Sequence, residues 1–120
     1  MLNVLNSMVW NPERLIDPTF ATTFRLAGSH TMLLDEVDNM SIIKSMKAIL
    51  NNGHEVGGFV PRVDKDSEGG IIKYPVYGHL ALAGIGHLPV TLMSRSIIVP
   101  MHRSKVQMEI FNPRDAFYSE

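Results

Sequence analysis

Apolar positions along the chain switch several times between helical and extended spacing, and the switches mark the elements. Leu2, Leu5, Met8 and Val9 share one helical face. Asn11-Pro12 closes that pattern, because proline lacks an amide donor and its ring collides with the preceding turn. No capping side chain stands before Leu2, so the helix reads as one begun further upstream. A short extended piece runs from Arg14 to Asp17. Asp17-Pro18 then opens a second helix in which Phe20, Thr23, Phe24 and Ala27 recur until Gly28. Thr31 to Leu34 is an unbroken apolar run ending in Asp35-Glu36, the pattern of a buried parallel strand with acids at its carboxyl end.

The second half carries a different texture. Ile42, Ile43, Met46, Ile49 and Leu50 form the stripe of a helix over residues 42–50, with Gly53 as its C-terminal cap. Phe59–Val63 and Ile71–Val76 are β-prone segments around the polar stretch Asp64-Lys65-Asp66-Ser67-Glu68-Gly69-Gly70, which predicts a β-hairpin with a mostly acidic tip. Leu80–Ile85 predicts a further buried strand, Leu88–Met93 a short helix opened by Pro89, and Ile97–Met101 a last strand. Alternating strands and helices predict an α/β fold of three layers around a mainly parallel sheet, with the hairpin inserted.

At 120 residues and 45% hydrophobic content, the chain holds one domain and no second. A formal net charge of -1 means that binding to nucleic acid or an anionic membrane would have to be local. The absence of cysteine excludes a disulfide framework and fits a reducing cytoplasm. The longest apolar run, near Leu80–Ile85, is far short of the roughly 20 residues of a membrane helix, and the start lacks the basic region of a signal peptide, so a cytoplasmic protein is expected.

The chemistry concentrates in Thr31-Met32-Leu33-Leu34-Asp35-Glu36-Val37-Asp38. Neighbouring carboxylates without a cation repel and raise one another's pKa, and a metal would relieve that repulsion. The stretch resembles a Walker B motif, in which an apolar strand fixes two acids. The resemblance implies that Asp35 orients magnesium through water and that Glu36 polarises the attacking water. The same residues also suit an ordinary acidic loop at a strand end.

Downstream stand Leu50-Asn51-Asn52-Gly53-His54, the hairpin, Ala81-Leu82-Ala83-Gly84-Ile85-Gly86-His87-Leu88-Pro89 and Ser94-Arg95-Ser96-Ile97. In this order the chain resembles the AAA+, superfamily 3-like ATPase domain of phage and plasmid primase-helicase proteins over most of residues 2–105. The resemblance implies that Arg95 is an arginine finger acting on a neighbouring subunit's nucleotide, and that the strand at Leu80 corresponds to the one bearing sensor 1. Gly84, Ile85 and Gly86 supply no polar sensor side chain, and His87 is the nearest substitute. The hairpin resembles the DNA-contacting insertion of that group. Its tip residue Lys65 is the candidate nucleic-acid contact, although Asp64, Asp66 and Glu68 around it oppose phosphate binding. Asn51, Asn52 and His54 receive no role, and the histidines lack the i, i+4 spacing of a helical zinc site.

A Gly-x-x-x-x-Gly-Lys-Ser/Thr loop is absent from the chain. In the family that loop directly precedes a helix like the first one here, so Met1 falls just after the missing lysine. The family's sheet places the strand before the loop between the sensor 1 strand and the last strand. Without it, strand edges lack partners at about 1–3 kcal/mol per buried group, and self-association is one expected remedy. Magnesium and ATP, cofactors of the complete domain, are therefore not expected to bind this chain alone. Three readings follow: a primase-helicase ATPase fragment needing a P-loop-bearing partner or a homo-oligomer, a non-catalytic interaction module of a replication complex, and a metal-dependent hydrolase built on Asp35, Glu36 and Asp38.

Overall fold

The strand that organises the molecule is the one with the longest continuous apolar run. In the computed structural model, which describes residues 1–37, 40–66 and 69–112, Met32, Leu33 and Leu34 are buried at 3%, 0% and 0% exposure. They belong to β2 (Thr31–Asp35), which pairs in parallel on both sides. One neighbour is β1 (Pro12–Ile16), with Leu15 beside Leu34 and Ile16 beside Asp35. The other is β5 (Leu80–Leu82), with Leu80 beside Met32 and Leu82 beside Leu34. The architecture is α/β with a three-stranded parallel sheet of order β1-β2-β5.

Strand alternation sends Met32 and Leu34 to one face and Leu33 to the other. On the first face lie α2 (Phe20–Leu26) and α3 (Met40–Asn52), which touch each other. Phe24, Ala27 and Ile49 pack with Met32, while Val37, Ile43 and Met46 pack with Leu34. On the opposite face α1 (Leu2–Met8) rests on β1 and β2. Helix α2 is capped by Thr19 and starts at Phe20, not at Asp17-Pro18, because the Thr19 hydroxyl accepts the Thr22 N–H at 3.2 Å.

The hairpin forms as β3 (Phe59–Val63) and β4 (Ile71–Pro75), antiparallel, with Val63 opposite Ile71. It is part of the core at its base. Val60 and Val76 are buried with Phe24 and Ile49, the Tyr74 ring meets Phe24 edge-on at 4.7 Å, and the Arg62 guanidinium lies 4.0 Å from the Phe20 ring centre. Three glycines make this junction close. A Cβ on Gly28 would stand 2.5 Å from the Pro75 carbonyl oxygen, one on Gly78 2.4 Å from that of Ala27, and one on Gly53 2.9 Å from that of Val76. Gly53 follows the last residue of α3 as the expected cap, its N–H donating to the Ile49 carbonyl at 2.7 Å without a positive φ, and the same position needs glycine for the approach to Val76.

Three expectations are corrected. The piece near Arg14 is a true strand, because its backbone completes the pairing of one β2 edge. The strand expected over 80–85 ends at Leu82, where its pairing with β2 ends at Leu34. Ile97–Met101 forms no strand: no described segment pairs with it, and Ile97 is 95% exposed. Branched residues favour a strand only when another strand satisfies their backbone groups. The short helix α4 (Val90–Met93) begins after Pro89 as expected and buries Leu92 against Leu34 and Met46. No helix among the described residues is long and apolar enough to cross a membrane.

Leu34→Ala is expected to cost about 2–5 kcal/mol in chemical denaturation, through lost burial and a cavity beside Met46, while Val56→Ala, at an exposed loop position, changes stability by less than about 0.5 kcal/mol.

Candidate functional site

Parallel strands expose their carboxyl ends at one edge, where side chains from several strands converge. Asp35 closes β2 at that edge, and Glu36 follows in a left-handed backbone conformation with φ of 56°. Two bonds hold this bend. The Glu36 N–H donates to Asp35 Oδ1 at 3.0 Å, and the next N–H, of buried Val37, donates to the Ala83 carbonyl at 2.9 Å. Bringing Val37 back to the core directly after the strand forces the turn onto Glu36, at a cost of order 1–2 kcal/mol for a non-glycine residue. Its side chain is left in solvent.

The residue that the sequence reading missed is Arg14. Pairing of Arg14 with Leu33 and Ile16 with Asp35 puts Arg14 and Asp35 on the same sheet face, two positions apart along the ladder. The guanidinium donates from Nη2 to Asp35 Oδ2 at 2.5 Å and from Nη1 to the Asn3 amide oxygen of α1, also at 2.5 Å. The bond from Arg14 is the main reason that the Asp35 carboxyl titrates below its ordinary value; desolvation opposes it and the Glu36 N–H assists. Met1, Leu2, Asn3, Arg14, Asp35 and Ala83 line a shallow cleft of about 140 Å³.

Both Asp35 oxygens are engaged within the chain. One Asp35 oxygen faces a cation already in place, the other accepts a main-chain N–H, and no three His, Cys, Asp or Glu side chains among the described residues converge. Asp38, the third acid, lies outside the described residues.

Arg95 is not brought to the acids. Its Nη1 donates to the Asn51 carbonyl at 3.3 Å, near the end of α3. The adjoining Gly53 carbonyl accepts the Gly78 N–H at 3.2 Å, immediately before β5, so Arg95 is anchored toward the amino end of the sheet, opposite Asp35. His87 is exposed beyond β5 and makes no hydrogen bond to Asp35 or Glu36 among the described residues. His54 lies 3.5 Å from the Glu55 carboxylate. Lys65 is exposed at the hairpin turn, which the Asp64 N–H closes onto the Gly70 carbonyl at 2.8 Å; Ser67 and Glu68 are outside the described residues. Comparison with protein-family models, with curated proteins and with solved structures finds no match.

A carboxylate whose native pKa is depressed contributes stability that is complete above its unfolded pKa and is lost as pH falls through the native value. The Arg14–Asp35 pair should therefore steepen the loss of stability as pH falls through and below the ordinary carboxylate range, and Asp35→Asn should flatten that limb in denaturant titrations. In Arg14→Met, the Asp35 carboxyl followed by NMR should titrate at higher pH than in the unsubstituted chain.

Proposed function

We propose that this chain is the Walker B-bearing part of an AAA+-like ATPase of the primase-helicase kind, inactive by itself. The observation that carries this reading is the position of Asp35 and Glu36, at the carboxyl end of the middle strand of a parallel sheet. That edge is where open α/β sheets bind ligands, and strained backbone such as that at Glu36 clusters at functional positions. The strand order supports the reading further. A strand, the acid-bearing strand and a sensor-like strand stand side by side, and the side of β5 left without a strand among the described residues is where the P-loop strand belongs in that family.

In this reading the roles divide between what the chain has and what it lacks. Asp35 would orient magnesium through water once Arg14 released it, Glu36 would polarise the attacking water, and Arg95, held away from these acids, would serve a neighbouring subunit. The phosphate cradle would come from a P-loop-bearing partner. The ion pair to Arg14 favours a second reading, a non-catalytic module docking on a replication protein, because an arginine that neutralises Asp35 leaves the acids without a metal-binding task.

Isothermal titration of the chain with magnesium and ATP is expected to show no micromolar binding; a micromolar site would overturn the proposed incompleteness. With a P-loop-bearing partner supplied, Glu36→Gln should lower ATP turnover by at least about 100-fold, the scale of a lost general base. Turnover insensitive to that substitution would remove the assigned role of Glu36.

A further inference from the structure

Two parts of the molecule lack what the other offers. The first is the outer side of β5. Its register with β2, in which the Met32 N–H donates to the His79 carbonyl and the Ala83 N–H to that of Leu34, turns residues 79, 81 and 83 inward. Leu80 and Leu82 consequently direct their N–H and C=O groups outward, where no strand lies among the described residues. Such an edge is a template for strand addition.

The second part is the segment after α4. Ile97, Ile98 and Val99 are 95%, 58% and 52% exposed, β-branched, and followed by Pro100, which cannot donate to a ladder. Three residues before the proline match the three residues of β5. The segment is held off its own sheet: the Arg95 and Ser96 N–H groups turn back onto the Leu92 and Met93 carbonyls, and the Arg95 side chain is tied to Asn51. The radius of gyration, 16.7 Å, accordingly exceeds the roughly 14 Å of a compact domain of this length.

Charge selects the orientation. His102, Arg103 and Lys105 follow the segment, and no acid intervenes between Met93 and Glu109. A strand added parallel to β5 would carry Arg103 and Lys105 beyond the carboxyl end of the sheet, toward Glu36, which pairs with no cation among the described residues. The antiparallel orientation would carry them away from it.

We infer that two copies of this chain exchange residues 97–99, each adding a parallel fourth strand to the outer edge of the other's β5. Exchange of an identical element between protomers is a low-cost route to a dimer, with Ser94–Ser96 as the hinge. The inference does not rest on the ATPase reading and competes with it for one edge, because a partner's residues 97–99 would take the place beside β5 that the reading gives to the P-loop strand.

Light scattering on the full chain is expected to give a particle of twice the 13.4 kDa chain mass. Ile98→Pro, at an exposed position, should return it to one chain mass with unchanged circular dichroism. Because the chain has no native cysteine, mixing an Ala81→Cys copy with an Ile97→Cys, Ile98→Cys or Val99→Cys copy should yield an interchain disulfide for at least one pairing. A monomer from micromolar to millimolar concentration, a dimer indifferent to Ile98→Pro, or cysteine pairs that close only within one chain would each overturn the inference. The nucleotide titration above can succeed or fail without altering any of these readouts.

Discussion

Everything in this molecule is hung on β2, a strand whose side chains are shut away from water on both faces and whose backbone is paired on both sides. Burial of this kind is favourable only when every peptide group finds a partner, which is why two poor strand sequences, Pro12–Ile16 and Leu80–Leu82, are drawn in beside it. The two clusters of apolar side chains that fix α2, α3 and the hairpin both start from β2 residues, Met32 in one and Leu34 in the other. The acids at the end of the strand inherit their position from the same constraint.

What could be read from the sequence follows from how local each signal is. The run from Thr31 to Leu34 declares itself, because a strand buried on both faces needs continuous apolar residues, and the stripe of α3 declares itself by its period. Pro12–Ile16 does not, with two apolar side chains, a proline and two charges; it is a strand because β2 has an edge to satisfy. The error at Ile97–Met101 is the converse: three branched residues signal a strand, but a strand is a relation between two segments. Arg14 was invisible for a related reason. Its partner is 21 residues away, and only the register of two strands reveals that the side chains meet.

Arg14 changes how the acidic site is to be understood. A pair of carboxylates after an apolar strand invites a metal in any sequence reading, yet here Asp35 already has a cation beside it, the guanidinium of Arg14 from the neighbouring strand. Arg95, in contrast, is spent on a carbonyl at the far end of α3, so the chain's two most suggestive arginines lie at opposite ends of the sheet.

The glycine junction at Gly28, Gly53 and Gly78 has a mechanical consequence. Where main chains touch without intervening side chains, there is little soft material to deform, and the root of the hairpin is clamped against the ends of α2 and α3. A pull or push on the hairpin is therefore delivered to the amino end of the sheet, where main chain bears directly on main chain.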